Sequence, residues 1–103
     1  MLEGLLKLIG YKPMDYKKLM SEGAIIVDVR TKQEFNSGHI KGSINIPLDV
    51  LGNNLKKLDK NKSVITCCAS GMRSASAKGI LNSKGYTAFN GGGWNGLERK
   101  LVK

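Results

Sequence analysis

The chain has 103 residues, of which 41% are hydrophobic and 24% charged, a composition typical of soluble globular proteins and unlike that of disordered or membrane chains. This length allows one hydrophobic core, so we expect a single domain over residues 11–103. Lys and Arg total 17 against 8 acidic residues, and the formal charge of +9 favours encounters with anions. Because the lysines are scattered rather than clustered with aromatic residues, we expect a small anion or an acidic partner protein rather than nucleic acid.

Residues 1–10 are apolar but short, are interrupted by Glu3 and Lys7, and lack a small-residue cleavage site. We therefore expect neither a signal peptide nor a membrane span. The leucines and Ile9 of this segment recur at helical spacing, which predicts a short N-terminal helical extension docked on the domain. Contact with a membrane surface or a partner is the alternative interpretation.

Five segments have strand patterns. The apolar, β-branched runs at 24–28 and 64–67 indicate strands buried on both faces of a sheet. Weaker patterns lie at 43–46 and 86–89, and a first edge strand is expected near residues 11–14.

Helical patterns occupy the segments between the strands, at residues 15–20, 32–36 after a Thr31 cap, 50–58, 73–84 and 96–102. Alternation of strands and helices predicts an α/β fold: a central parallel sheet of about five strands with helices on both faces. In such folds ligands bind at the carboxyl ends of the strands.

The two cysteines, Cys67 and Cys68, are adjacent in sequence and cannot join distant segments by disulfides. A reducing, cytoplasmic location is therefore expected. Two neighbouring thiols and a single distant His39 match no zinc-ligand spacing, so we expect no metal site. We expect no other cofactor either.

The strongest chemical feature is the turn between the strand at 64–67 and the helix that begins near Arg73. A tight turn of small residues in front of a helix directs several backbone N–H groups at one point and forms an anion cradle. Cys68 lies at the rim of this cradle, where those N–H groups and Arg73 would hold the pKa of its thiol below the free value of about 8.5. The cradle residues are Ala69, Ser70, Gly71 and Met72.

Both cysteines and the nearby glycines have alternative interpretations. Cys68 is interpreted as a reactive thiol, although free cysteine is also a common buried apolar residue. Neighbouring strand residues point to opposite faces, so we expect Cys67 in the core, the alternative being a resolving thiol. The glycines at 91–93 form either a flexible turn, the interpretation we favour, or a close backbone approach to the site loop.

Three segments together resemble the rhodanese-like domain. Residues 28–47 are similar to its first signature, 68–73 to its active-site loop and 85–94 to its usual ending, and the resemblance extends over nearly all of residues 12–101. It implies a thiosulfate sulfurtransferase whose loop cysteine takes the outer sulfur of thiosulfate, releases sulfite and holds the sulfur as a persulfide. The acceptor would be cyanide or a thiol such as glutathione or a thioredoxin-like protein.

By position, the resemblance implies that Cys68 is the nucleophile and that Arg73 closes the loop and helps to hold the anionic substrate. It places Asp28 and Arg30 at the site rim or in a structural role. Glu34 and His39 belong to the same, mainly structural, signature. For His39 we favour a hydrogen-bonded structural role over that of a general base, because an ionised thiolate needs no base.

Two other functions remain open. Counted from Cys67, the spacing Cys-x5-Arg is that of cysteine-dependent phosphatases and arsenate reductases, in which a larger ring of amides holds a tetrahedral oxyanion. We favour Cys68 because Cys67 would continue the strand, and because Thr66 replaces the histidine that often precedes the phosphatase nucleophile. The remaining hypothesis is a non-catalytic or sulfur-relay module of the rhodanese type.

Overall fold

One of the two inner strands of the sheet is β1 (Ile25–Asp28), a run of apolar residues that ends in an aspartate. It pairs in parallel with β2 (Ile44–Asn45) on one side and with β3 (Val64–Cys68) on the other. The last strand, β4 (Ala88–Gly93), pairs in parallel with β3, which gives the order β2-β1-β3-β4. All carboxyl ends of the strands therefore lie at one edge of the sheet, as in the predicted parallel α/β fold.

The computed structural model describes residues 14–102. Within this range the sheet has four strands rather than about five. The helical extension expected over residues 1–10 and most of the edge strand expected near residues 11–14 lie outside the described range. Met14, which is described, has no regular secondary structure.

In the part of the chain that the structure describes, five helices connect and cover the strands: α1 (Tyr16–Ser21), α2 (Lys32–Ser37), α3 (Leu48–Leu51), α4 (Met72–Ser83) and α5 (Trp94–Leu101). The predicted length of one helix was wrong. The helix expected over residues 50–58 is instead α3 followed by a separate 3₁₀ turn, Leu55–Lys57. Gly52 and the two asparagines after it interrupt the helix, because glycine and asparagine favour turns over helix interiors.

The two faces of the sheet have separate hydrophobic cores. On one face Val27 packs with Leu51 of α3 and with Leu81 of α4. On the other face Ile26 packs with Leu97 of α5, and α1 also contributes side chains. Neighbouring residues of β1 thus point to opposite faces, as the geometry of a strand requires. Among residues 14–102, no helix is long and apolar enough to cross a membrane.

A capping box fixes the start of α2 beside the carboxyl end of β1. The Thr31 hydroxyl accepts a hydrogen bond from the backbone N–H of Glu34 at 3.2 Å, and the Glu34 carboxylate accepts one from the backbone N–H of Thr31 at 3.0 Å. These two bonds satisfy backbone donors that the helix leaves unpaired. They also hold the Glu34 carboxylate at the edge of the sheet where ligands are expected.

Candidate active site

The predicted site loop connects β3 to α4 at the carboxyl edge of the sheet. Strand β3 ends at Cys68, one residue later than predicted, because the backbone of Cys68 still pairs with Gly93 of β4 after an irregularity in the ladder. The loop then passes through Gly71, whose φ of +101° lies in the left-handed region. Because side-chain-bearing residues rarely adopt this conformation, the turn requires glycine here.

The loop directs backbone donors at the sulfur of Cys68. Its Sγ accepts hydrogen bonds from the backbone N–H of Gly71 at 3.0 Å and from the backbone N–H of Ser74 at 3.3 Å. The Ser74 hydroxyl oxygen lies 3.4 Å from the same Sγ. A sulfur surrounded by donors in this way is in the environment that stabilises a thiolate.

The pKa of Cys68 reflects two opposing effects. Burial raises the pKa of its thiol, since only 1% of the residue is exposed. Hydrogen bonds from the Ser74 hydroxyl and from the backbone N–H groups of Ser74, Gly71 and Ser70 outweigh this and lower the pKa below its ordinary value. The ionised, nucleophilic form of this thiol is therefore more accessible than that of an ordinary cysteine.

The residues predicted for the cradle differ in what they contribute. Gly71 donates directly to the sulfur, and the backbone N–H of Ser70 helps to lower the pKa of Cys68. Ala69 is exposed, and the side chain of Met72 points to solvent with 80% of the residue accessible. Ser74 was missed by the sequence analysis. Its signal is a small hydroxyl residue in the first turn of the helix that follows a loop cysteine.

Cys67 lies on the opposite face of the sheet, as predicted for a core residue. It is fully buried in the core that includes Ile65 and Leu97. Burial, and to a lesser degree the nearby Asp28 carboxylate, raises the pKa of the Cys67 thiol to about 12. The pKa values of these two consecutive cysteines are thus shifted in opposite directions, upward for Cys67 and downward for Cys68.

Arg73 makes a contact that the sequence analysis did not predict. Its guanidinium donates two hydrogen bonds to the Glu34 carboxylate, at 2.7 and 3.0 Å. The bonds from Arg73, and next those from Thr31, lower the pKa of Glu34 to about 2, so the carboxylate is ionised at neutral pH. The arginine is consequently held in one orientation beside the loop.

Asp28 and Arg30 form a buried ion pair at the end of β1. The carboxylate is fully buried, 4% of the arginine is exposed, and the closest nitrogen and oxygen are 2.8 Å apart. The Arg30 guanidinium also donates to the carbonyl of Gly38 and lies 4.8 Å from the centre of the Trp94 ring. These contacts join β1 to the start of α5 and fit the structural role among the two that were predicted.

His39 is exposed and packs on its own segment of chain. Its Nδ1 lies 2.7 Å from the carbonyl oxygen of Phe35, and the two rings are stacked with centroids 3.6 Å apart. This arrangement is the one expected for a structural histidine.

The glycines at 91–93 are part of β4 rather than a flexible turn, so the favoured interpretation was wrong. A Cβ on Gly93 would lie 2.9 Å from the carbonyl oxygen of Ala69 in the site loop, and one on Gly71 would lie 3.4 Å from the Cα of Gly92. Such close backbone approach requires residues without side chains.

A cleft of about 310 Å³ lies beside the loop, lined by Val29, Thr31, Pro47, Leu48, Asp49 and Arg73. Most of this lining is apolar, with the Arg73 side chain on the wall next to the loop. Within residues 14–102, the structure contains no group of three or more side chains placed to hold a metal ion.

Comparisons with known proteins agree with this geometry. The family model described as the rhodanese-like domain matches residues 12–100. The thiosulfate sulfurtransferase PspE of Escherichia coli K12 is 36% identical over 80 residues, which are 75% of this chain and 77% of that protein. The tRNA sulfurtransferase of Thermoplasma acidophilum is 30% identical over 76 residues, which are 74% of this chain but 15% of that protein.

A solved structure is also similar. The structure of a rhodanese with anions from E. coli superposes with a TM-score of 0.68 and 34% identity, covering 72% of this chain and 91% of that one. By its family match, by its relatives and by its parallel sheet with a cysteine at the carboxyl edge, the chain belongs to the rhodanese-like domain family.

Proposed function

We propose that the chain is a sulfurtransferase that moves a sulfane sulfur from thiosulfate, or from a persulfide donor, to a thiol or cyanide through a persulfide on Cys68. The observation that carries this proposal is the set of hydrogen bonds to Sγ: Gly71 and Ser74 donate to it from the loop and from the first turn of α4. A nucleophilic sulfur needs this stabilisation of its ionised form.

The first half of the reaction loads the sulfur. The Cys68 thiolate attacks the outer sulfur of thiosulfate, a new S–S bond forms, and the S–S bond within thiosulfate breaks. The bonding electron pair leaves with sulfite, so no external oxidant or reductant is needed. The terminal sulfur of the resulting persulfide carries the negative charge, which the backbone N–H groups of the loop stabilise.

The second half regenerates the enzyme. An acceptor thiolate, or cyanide, attacks the outer sulfur of the persulfide, and the electron pair of the broken S–S bond returns to Sγ of Cys68. Because its pKa is lowered, Cys68 is a better leaving group in this step than an ordinary cysteine. The same hydrogen bonds therefore assist both halves of the cycle.

The charge of the site suits an anionic donor. Arg73 is oriented by Glu34 beside the loop, and the chain as a whole carries a formal charge of +9, which attracts anions to it. The largely apolar cleft next to Arg73 offers an apolar surface to part of a thiol acceptor, such as glutathione or a thioredoxin-like protein. Two free thiols suit a reducing compartment such as the cytoplasm.

A phosphatase or arsenate reductase that uses Cys67 fits the geometry less well. The sulfur of Cys67 lies in a core on the face away from the loop donors, and its pKa is raised to about 12. A thiol in this state is protonated and inert at neutral pH.

A sulfur relay loaded by a partner protein would use the same residues as the enzyme. In that case the persulfide of a donor protein, rather than thiosulfate, would load Cys68. The two functions differ in turnover: a relay would exchange sulfur rapidly with a protein persulfide and very slowly with free thiosulfate.

Turnover measurements test the proposal. With thiosulfate and cyanide, the wild-type chain is expected to release sulfite and thiocyanate in equal amounts, and Cys67→Ser is expected to retain this activity. Hydrolysis of an aryl phosphate that persists in Cys68→Ser and is lost in Cys67→Ser would overturn the proposal in favour of a phosphatase.

A further inference from the structure

The hydroxyl of Ser74 has one proton and two neighbours that can accept it. Its Oγ lies 2.6 Å from Oδ1 of Asn90 and 3.4 Å from Sγ of Cys68. Both contacts are inside the protein, since Ser74 is fully buried. One hydroxyl proton cannot serve both acceptors at full strength at the same time.

Asn90 is fixed by three further contacts, one each with β4, the site loop and α1. Its Oδ1 also accepts a hydrogen bond from the backbone N–H of Gly92 at 2.9 Å, and its Nδ2 donates to the carbonyl of Gly71 at 3.3 Å. Its own carbonyl accepts from the hydroxyl of Tyr16. Gly92 and Gly71 determine the orientation of the side-chain amide, because the opposite orientation would direct N–H groups at a backbone N–H and oxygen at a carbonyl.

The direction of the Ser74 proton depends on the charge of the sulfur. When Cys68 is a neutral thiol, its S–H donates to Ser74 Oγ, and the Ser74 hydroxyl donates to Asn90. When Cys68 is a thiolate, it has no proton to donate and accepts one most strongly. The Ser74 hydroxyl then turns to the sulfur, and the Asn90 oxygen keeps only the N–H of Gly92.

We propose, on the basis of the proposed function, that Asn90 is a positioning residue that competes with the sulfur for the Ser74 proton and so sets how readily Cys68 carries negative charge. In the loaded state the sulfur of Cys68 is neutral, and the hydroxyl points to Asn90. As the acceptor removes the outer sulfur, the electron pair of the S–S bond returns to Sγ and the hydroxyl turns back to it. The proton moves by rotation of one bond, and none is exchanged with solvent.

The side-chain hydrogen bonds of Asn90 are made to Ser74, Gly71 and Gly92, none of which has an ionisable side chain that titrates near neutral pH. β4 contributes no ionisable group, since its residues are Ala, Phe, Asn and Gly. The ionisable groups that interact with Cys68 are Arg73 in α4 and Cys67 in β3. Glu34 in α2, Asp28 in β1 and Arg30 after β1 interact with these two groups, and Asp49 in α3 lines the cleft next to Arg73. A change in the titration of Cys68 on replacing Asn90 therefore reports on the Ser74 contact or on the position of the loop.

A double-mutant cycle separates these two effects. The thiolate of Cys68 is titrated by its ultraviolet absorbance in the wild type, Asn90→Ala, Ser74→Ala and the double variant, with the matching Cys68→Ser chain subtracted in each case. The loss of one neutral hydrogen bond from the thiol state is expected to lower the titration midpoint in Asn90→Ala by about half to one pH unit. In the Ser74→Ala background the same replacement is expected to have no effect.

Two results would overturn the proposal. One is an unchanged or higher midpoint in Asn90→Ala. The other is the same shift in both backgrounds, which would show that Asn90 acts by holding Gly71 and the loop. Asn82→Ala is the matched control. Asn82 also joins α4 to β4, through the backbone of Ala88, but it lies near the end of α4 that is away from the sulfur. Thermal unfolding of each variant checks that it is folded.

The titration requires no sulfur donor, so it is independent of the proposed function. If the chain takes up no sulfur but the cycle shows coupling through Ser74, sulfur transfer fails and the role of Asn90 stands. If sulfur is taken up and the cycle shows no coupling, sulfur transfer stands and the proposed role of Asn90 fails.

Discussion

The carboxylate of Glu34 accepts two hydrogen bonds from the guanidinium of Arg73, a residue 39 positions later in the chain, at 2.7 and 3.0 Å. The same carboxylate closes the capping box of α2 by accepting from Thr31. One side chain thus starts a helix and orients the arginine of the site loop. Since its pKa is lowered from 4.5 to about 2, this pair is fully formed above pH 4.5 and is lost as the pH falls toward about 2.

Arg73→Lys tests the importance of this orientation. Lysine keeps the charge but cannot donate two parallel hydrogen bonds to one carboxylate. We expect the rate of sulfur uptake from limiting thiosulfate to fall by about tenfold, because a positive charge that is no longer fixed stabilises the reacting anion less. The rate is measured from sulfite release.

The control for this substitution is Arg99→Lys, since Arg99 is an exposed residue of α5. It is expected to leave the rate unchanged. Equal rates for Arg73→Lys and the wild type would show that the direction of the Arg73 side chain does not matter for the reaction.

Cys67 should make the protein less stable in alkali. Its pKa is raised from 9.0 to about 12 in the folded chain, so between these values the unfolded chain loses a proton that the folded chain keeps. The free energy of unfolding is therefore expected to fall with rising pH in this interval, by up to about 1.4 kcal/mol per pH unit from this group. Urea unfolding at several pH values measures the slope.

Cys67→Ala removes this contribution, and its slope over the same pH interval should be shallower than that of the wild type. Tyrosines and lysines contribute equally to both chains, so the difference isolates Cys67. Equal slopes for the two chains would contradict the assignment of Cys67 to a core that excludes water.

Gly91→Ala should weaken the contact between β4 and β3. An added Cβ would lie 2.7 Å from the carbonyl oxygen of Thr66 and 2.9 Å from a methyl group of Ile65, which is too close without movement of the strands. Such overpacking costs about 1–3 kcal/mol of unfolding free energy. Chemical denaturation measures it.

Gly79→Ala is the matched control for this substitution. Gly79 lies in α4, and an added Cβ there meets nothing within 4 Å. Alanine in this exposed helical position should raise stability by up to about 1 kcal/mol. Equal stability of the two variants would mean that β4 does not pack as tightly as its glycines indicate.

The sequence was sufficient to predict the parallel α/β fold and the opposite directions of Cys67 and Cys68. Both follow from local patterns: apolar runs of β-branched residues indicate buried strands, and consecutive strand residues point to opposite faces. The boundary of β3 was less predictable. Cys68 belongs to the strand because its backbone pairs with Gly93, a residue far away in sequence.

The contacts that shape the site depend on packing between distant segments, which local patterns do not show. Ser74 approaches the sulfur only because α4 turns back over the end of β3, and Asn90 reaches Ser74 only because β4 lies beside β3. The glycines of β4 have the composition of a flexible turn. Their role in close packing becomes apparent from the neighbouring loop, through Ala69 and Gly71.

Intact mass spectrometry after treatment with thiosulfate tests the persulfide on Cys68 most directly. The wild-type chain and Cys67→Ser should each gain the mass of one sulfur atom, a thiol reductant should remove it, and Cys68→Ser should gain nothing. A gain that persists in Cys68→Ser, or no gain in the wild type, would contradict sulfur transfer through Cys68.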